Sequence, residues 1–306
     1  MRRSSTPAIV MLVLAALSWG IATALTKVAL EQLQPLDLLA VEVGTGALCL
    51  CLLMLARGAP RDSALRVGGV LLLIGMLDPG LCFLLFDVGL AHTAATDGAL
   101  LIATESLFTA VLAVLFLGER LDGRLAFALF AGSIGAAFVS LRGGGGASSL
   151  AGDLLVVGAS LAAGAYSVLA RRIAPGRDVL SLTTVQMIGA AAVCLPLAGL
   201  AAAAGHSHLA HANASHVLAA VAVGVLASVL PFLLFNTAIE HVTATAAGLV
   251  LNLIPLFGTA AAVTLLSESL GVAQLLGGAL IVLAATLAAL GARQNERVLP
   301  ELTSGL

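Results

Sequence analysis

The chain has 306 residues, of which 60% are hydrophobic and 10% are charged, and its formal net charge at pH 7 is −2. A soluble domain carries about 25% charged residues, so this composition excludes a protein surrounded by water alone. Apolar runs of about 20 residues, long enough to span a bilayer as helices, follow one another along the chain. A β-barrel would show shorter alternating segments, and no basic face exists to bind nucleic acid. The sequence therefore predicts an all-α integral membrane protein.

Ten transmembrane helices are predicted from these runs. They lie near residues 8–29, 36–56, 67–87, 94–117, 124–141, 151–170, 181–204, 214–236, 243–266 and 271–291. The first run is predicted to stay in the protein, because it contains Trp19 and Lys27 and has no small-residue cleavage site before polar sequence. The four cysteines lie inside apolar runs without pairing or metal-ligand spacing, so they are interpreted as small apolar fillers.

The basic residues predict the orientation of these helices. With the N-terminus in the cytoplasm, only Lys27 and Arg142 of the 14 lysines and arginines fall on the opposite side. An even number of helices then returns the chain to the cytoplasm, where a tail of residues 293–306 follows. The predicted location is the inner (plasma) membrane, crossed many times, with both termini cytoplasmic.

One segment of the sequence occurs twice. Residues 81–121 and 230–270 align without a gap, and more than a third of their positions are identical. The identities include Phe-Leu-Leu-Phe, a histidine after it and a glutamate further on, which apolar composition alone does not readily produce. The chain is therefore predicted to contain two five-helix units, residues 1–142 and 151–292, joined by a Gly- and Ser-rich linker at 143–150.

An odd number of helices in each unit predicts that the second unit enters the membrane upside down. Such inverted repeats are typical of secondary transporters. The four glycines of the linker lack the Lys-Ser/Thr ending of a phosphate loop. Small residues in the fifth and tenth helices allow close helix packing, either within one chain or between the chains of a homodimer. These residues are Ala128, Gly132, Ala136, Gly277 and Gly278.

Several short motifs carry a family resemblance. They are Ser18-Trp19-Gly20 with Lys27, Leu107-Phe108-Thr109-Ala110, Leu117-Gly118-Glu119-Arg120-Leu121, Ile254-Pro255-Leu256-Phe257 and Ser267-Glu268-Ser269-Leu270. Over residues 8–291 the chain resembles EamA-type members of the drug/metabolite transporter superfamily. The resemblance implies a carrier of small metabolites with a central cavity. One departure is Glu105-Ser106, where the family often has a proline; the second copy keeps Pro255.

Charged side chains within the apolar runs are concentrated in the first repeat. They are Lys27, Glu42, Asp78, Asp87, Asp97 and Glu105. Each costs about 2.5–3.5 kcal/mol in a membrane helix and normally faces a protein interior or a wet cavity. The second repeat has mostly amides and hydroxyls, and Asn236 stands where the first has Asp87. This asymmetry predicts that the first half couples to a cation and that the second shapes the binding wall.

Glu105 and Asp97 are the predicted proton-coupling residues. Glu105 lies near the middle of the fourth helix, and burial of a carboxyl disfavours its charged form, so it could bind and release a proton. The alternative is a protonated glutamate that bonds a neighbouring helix. Asp97 lies eight residues earlier, some 80° around the helix, so both could border one cavity.

The predicted substrate-binding residues are Trp19, Thr23, Lys27, Asp78 and Asn252. The first three share one face of the first helix, Asp78 precedes Pro79-Gly80 at a predicted kink, and Asn252 belongs to a polar stripe with Thr245 and Thr259. For each, ordinary packing or interhelical hydrogen bonding is the alternative, with Lys27 extending outward to the interface.

Other polar groups are interpreted as structural. Glu119 and Glu268 end matching helices on opposite sides of the membrane and are predicted to have a structural task, either capping neighbouring helix ends or pairing with a basic residue. The loop histidines between the seventh and eighth helices are interpreted as solvated rather than as a metal site. No catalytic cluster is found, so neither an enzyme nor a cofactor is predicted.

The sequence thus predicts a secondary transporter that moves a small amphipathic metabolite, such as an amino acid or a related compound. Export by alternating access with proton exchange is the favoured mechanism. A proton-independent facilitator or a channel is the alternative.

Overall fold

The computed structural model describes residues 6–57, 68–117, 123–141, 149–173, 176–239, 241, 250–284 and 286–287. Every regular element in these ranges is helical. The helices are α1 (Thr6–Ala29), α2 (Pro35–Arg57), α3 (Gly68–Gly75), α4 (Cys82–Ala91), α5 (Ala95–Leu101), α6 (Glu105–Leu117), α7 (Gly123–Leu141), α8 (Leu150–Ile173), α9 (Val179–Ala203), α10 (Ala214–Val223), α11 (Leu230–Ala238), α12 (Ile254–Leu266) and α13 (Val272–Ala284).

Seven segments of the described chain are long and apolar enough to cross a membrane. They are Pro7–Ala29, Pro35–Arg57, Gly68–Ala91, Ala95–Phe116, Leu150–Ala170, Val179–Ala203 and Ala214–Ala238. Shorter apolar helices occupy Ala126–Gly135, Ile254–Leu266 and Val272–Ala284. These segments agree with the predicted all-α membrane class, while ten crossings and the inversion of the repeat stay predictions. The third segment ends at Ala91 and not at the predicted residue 87. Three of the features named above lie outside the described residues: Glu119, the glycines 143–146 of the linker, and Thr245.

The third membrane segment is broken, as the Asp-Pro-Gly sequence predicts. Between α3 and α4, residues Met76–Leu81 form a wide π-helical turn, in which Asp78 has φ −146° and ψ 120°, outside the helical region. Pro79 lacks the backbone N–H that a continuous helix would use at this place. The eighth predicted helix has a similar wide turn, Gly224–Val229, between α10 and α11. The kink in the third helix is therefore confirmed.

The two halves of the chain pack against each other through α2 and α9. Their shared core contains buried apolar residues of both helices, namely Leu39, Val43, Leu50, Met187, Ala190 and Cys194. Glycines let neighbouring helices approach this pair closely. A methyl group on Gly75 would lie 1.8 Å from the carbonyl oxygen of Gln186, and one on Gly224 would lie 2.8 Å from that of Glu42.

The small residues of α7 and α13 pack inside the chain. A methyl group on Gly135 would lie 2.7 Å from the carbonyl oxygen of Gly277, and the reverse substitution gives the same distance. Ala128 is fully buried beside Leu107 and Ala284. Of the two alternatives left open by the sequence, these contacts show packing within one chain, and the homodimer stays a prediction.

Polar side chains bind the ends of several helices. Both carboxylate oxygens of Glu268 accept hydrogen bonds from the first turn of α5, from Ala95 N at 2.9 Å and Thr96 N at 2.8 Å. The predicted capping role of Glu268 is therefore confirmed. Asp178 accepts from Ser181 N at 3.0 Å at the start of α9. Partial burial opposes ionisation of Asp178, but the hydrogen bonds from Ser181 and the charge of Arg57 outweigh it and lower its pKa.

Gly75→Ala is expected to destabilise the protein, because the added methyl group would overlap a backbone carbonyl of α9 that cannot move alone. Overpacking of this kind costs about 1–3 kcal/mol or more. Gly199→Ala is the matched control, since a methyl group there meets nothing within 4 Å. The apparent melting temperature of the purified protein in detergent should fall for Gly75→Ala alone. Equal melting temperatures would contradict this packing.

Glu268→Gln should loosen the start of α5, because an amide offers one acceptor oxygen where the carboxylate offers two and removes the charge that favours a helix N-terminus. A loss of about 1–2 kcal/mol is expected, seen as faster hydrogen exchange in residues 95–101. The control is Glu31→Gln, whose side chain is 62% exposed. Unchanged exchange in α5 would show that the cap contributes nothing.

Candidate solute-binding cavity

A cavity lies where helices from both halves of the chain meet, with roughly 830 Å³ of space free of protein atoms, including its opening. Its walls come from α1, α2, α4, α6, α8 and α11, from the turns that precede α4, α6 and α11, and from both sides of the start of α12. The lining residues include the aromatic group Trp19, Phe83, Phe86, Tyr166, Phe232 and Phe235. In the described chain, neither α7 nor α13 contributes to the lining.

Trp19 is held in the wall of the cavity by a polar and an apolar contact. Its indole Nε1 donates to the carbonyl oxygen of Ala227 at 3.0 Å, in the wide turn before α11. Its ring meets Phe232 edge to face, with centroids 5.5 Å apart, and Phe235 at 6.2 Å. Phe232 also contacts the ring of Tyr166 at 6.0 Å. One aromatic surface therefore runs from α1 of the first half to α8 and α11 of the second.

Four carboxyl side chains also line the cavity, and all come from the first half: Glu42, Asp78, Asp87 and Glu105. Asp78 lies in the break between α3 and α4, and Glu105 begins α6 directly after a tight 3-10 turn, Ile102–Thr104. The irregular backbone thus places both acids at cavity depth. None of the described residues that line the cavity is a lysine or an arginine.

The acids form two interacting pairs. Asp78 and Glu105 are close enough for their charges to interact, and so are Glu42 and Asp87. Ser167 Oγ donates to Glu105 Oε1 at 3.2 Å. In the described part of the chain, Asp78 Oδ1 and Asp87 Oδ2 are buried without a hydrogen-bond partner. A buried carboxylate oxygen without a partner is costly, so these atoms suit a proton, a water molecule or a bound cation.

The structure brings together Trp19, Thr23, Asp78 and Glu105, four of the predicted site residues, in the wall of one cavity. The helical face predicted for α1 accounts for the first two. The predicted break accounts for Asp78.

Lys27, Asp97 and Asn252 are not among the lining residues. Lys27 Nζ donates to the carbonyl oxygens of Leu90 at 2.7 Å and Thr93 at 2.6 Å, so it binds the end of α4 rather than extending to the interface. Asn252 Oδ1 accepts from Ser106 Oγ at 3.0 Å, which is the interhelical bond given above as the alternative.

The expectation that Asp97 and Glu105 border one cavity is corrected by the structure. Asp97 is completely buried and accepts a hydrogen bond from Gln274 Nε2. The 3-10 turn between the two acids interrupts the uniform α-helical periodicity on which the expectation was based. Asp97 therefore faces α13, and Glu105 faces the cavity.

Glu42, Asp87 and Tyr166 are cavity residues that the sequence analysis did not assign to the site. Glu42 and Asp87 were noted only as charges in apolar runs, and Tyr166 was not noted at all. The matched pair Asp87/Asn236 was the available signal for Asp87. Within the described chain, no group of three or more His, Cys, Asp or Glu residues could hold a metal ion.

Comparison with known proteins agrees with this architecture. The model of the EamA-like transporter family matches residues 6–141 and again residues 150–290. The uncharacterized transporter YyaM of Bacillus subtilis (strain 168) is 26% identical over 270 residues, covering 85% of this chain and 86% of that protein. The uncharacterized transporter YcxC of the same organism is 26% identical over 290 residues, covering 92% of each.

A solved crystal structure superimposes with a TM-score of 0.60 over 95% of this chain and 99% of its own, at 22% identity. This likeness concerns the fold. The two family matches together span nearly the whole chain, one in each half, so the resemblance carried by the short motifs is confirmed. The chain belongs to the EamA-like transporter family, whose members are membrane transporters of small solutes rather than enzymes.

Proposed function

We propose that this protein is a secondary transporter that exports a small amphipathic metabolite, such as an amino acid or a related compound, in exchange for protons. The observation that carries the proposal is the cavity between the two halves, which is lined by four acids of the first half and by aromatic rings of both halves. Buried acids are costly in a membrane protein and commonly mark proton or substrate pathways.

Alternating access would follow from two inverted five-helix repeats, ten helices in all, in the inner membrane with both termini cytoplasmic. Matched contacts support the repeat. Helix α1 packs on α11 and α12, and α8 packs on the matching α4 and α6. A methyl group on Gly20 would lie 2.7 Å from Phe257 Cβ, and one on Gly164 would lie 3.1 Å from Phe108 Cβ, the repeat partner of Phe257.

Glu105 is the proposed coupling residue. It is close enough to Asp78, in the break of the third membrane segment, for the two charges to interact, and a proton can be shared between these two carboxyls. Asp97 is proposed as a second proton site, reached when the halves separate and Gln274 releases it. Trp19, Thr23 and Asp78 contact the solute in the present conformation, and Lys27 and Asn252 would do so only in another conformation of the cycle.

Glu105→Gln is expected to abolish proton coupling, because the amide cannot release a proton in the physiological range. In proteoliposomes with an acidic interior, the wild-type protein should accumulate an external solute found by an uptake screen across solute classes. The variant should lose this accumulation and keep the exchange of labelled for unlabelled solute without a gradient.

Asp153→Asn is the matched control for that experiment. Asp153 is buried and accepts a hydrogen bond from Thr93 Oγ1, but it does not line the cavity. Undiminished accumulation by Glu105→Gln would favour the proton-independent facilitator. Conductance far above carrier rates, without exchange, would favour the channel.

A further inference from the structure

We infer that Glu42 and Asp87 bind the ammonium group of an organic amine without a carboxylate, whose apolar part lies against the aromatic surface of the cavity. This inference rests on the proposed transport function and narrows its substrate class. The two side chains come from α2 and α4 and belong to the cavity wall.

The first argument is the charge of this pair. Glu42 is 2% exposed and Asp87 is 1% exposed. The two carboxyls are close enough for their charges to interact. Asp87 Oδ2 has no hydrogen-bond partner among the described residues. Ionised buried groups must be neutralised, and an unpaired charge costs several kcal/mol. The described lining residues include no lysine or arginine that could neutralise Glu42 and Asp87. An ammonium group supplies both the charge and three hydrogen-bond donors.

The second argument comes from the other half of the chain, which holds amides at the matching positions. Asn236 is the repeat partner of Asp87. Gln186 matches Glu42, because its carbonyl oxygen lies against Gly75 just as that of Glu42 lies against Gly224, the repeat partner of Gly75.

Each of these amides has a side-chain hydrogen bond within the second half, although Asn236 Oδ1, like Asp87 Oδ2, has no partner among the described residues. Gln186 Oε1 accepts from Tyr166 Oη at 3.3 Å, and Asn236 Nδ2 donates to Thr183 Oγ1 at 3.1 Å. In the first half, the position that matches Tyr166 is Ala22, by the same offset that relates Gly20 to Gly164. Ala22 lines the cavity. The first half therefore has two carboxyls and an alanine where the second half has two amides and a tyrosine.

The third argument concerns the rest of the solute. Trp19, Phe83 and Phe232 offer a continuous aromatic wall, and rings of this kind attract ammonium groups and bury apolar groups. A carboxylate on the solute would find no basic partner in the described lining and would face four acids. The cavity therefore favours a monocation over a zwitterion or an anion.

The test uses the single tryptophan of the chain as its reporter. Because Trp19 lies in the cavity wall, its fluorescence should change when the cavity fills. The purified full-length protein is titrated with phenethylamine, phenylalanine and 3-phenylpropionate, which share a phenyl group and differ in charge. Phenethylamine should bind about tenfold or more tightly than phenylalanine, since an unpaired buried carboxylate costs at least this much. Equal or tighter binding of phenylalanine or 3-phenylpropionate, or no response to phenethylamine, would overturn the inference.

The double substitution Glu42→Gln with Asp87→Asn copies the residues of the second half and should weaken phenethylamine binding about tenfold or more. Asp153→Asn removes a buried carboxyl elsewhere and should leave binding unchanged. Thermal unfolding checks that each variant is folded. If the double variant does not fold, the titration of the wild-type protein with the three ligands still tests whether the cavity prefers the amine. Unchanged binding by a folded double variant would refute the assignment.

Exchange of labelled phenethylamine in proteoliposomes separates this inference from the transport function. Binding without any exchange would preserve the site and contradict the proposed transport. Proton-driven transport of another solute by a protein that does not bind phenethylamine would preserve the transport function and contradict the site. A fluorescence response to sodium ions in place of the amine would likewise contradict it.

Discussion

A charged side chain in an apolar interior needs an opposite charge or hydrogen-bond partners. In this chain, that need explains several contacts between helices. Outside the cavity, three described charged groups are compensated by the protein: Glu268 binds the first turn of α5, Lys27 binds the carbonyl oxygens of Leu90 and Thr93, and Gln274 binds Asp97. These contacts join segments that are distant in the sequence. The acids of the cavity face no lysine or arginine in the described lining. A proton or a cationic ligand can compensate them, and a coupled carrier requires such exchangeable partners.

The two repeats have similar helix packing but different side chains at matching positions. Corresponding glycines, Gly75 and Gly224, allow the same close helix approach in each half, and the side chains beside them differ in charge. The first half places Glu42 and Asp87 at the cavity. The second half has Gln186 and Asn236 at the matching positions, and neither lines the cavity, although Tyr166, whose hydroxyl donates to Gln186, does. A scaffold with near-equivalent halves thus encloses a cavity with acids from the first half and aromatic rings from both. A solute with one charged end and one apolar end fits that lining.

The sequence predicted those features that depend on local chemistry or on repetition. Asp78-Pro79 predicted the break because proline removes a backbone donor, and the repeated glutamates predicted the cap made by Glu268. The sequence did not predict side-chain positions that depend on contacts between different helices. Because of the 3-10 turn before Glu105, Asp97 does not face the cavity. Lys27 donates to two backbone carbonyl oxygens. Residue spacing along an ideal helix predicts neither of these arrangements. Tyr166 was missed because its role depends on Gln186, a residue of another helix.

The central claim is that the cavity acids are neutralised in turn by protons and by the cationic solute. The most direct measurement is the pH change on adding phenethylamine to the purified protein in weakly buffered solution near neutral pH. The account predicts that binding, followed by the fluorescence of Trp19, releases protons, and that the release is lost together with binding when Glu42 and Asp87 become amides. Saturable binding of the amine with no release of protons would contradict it.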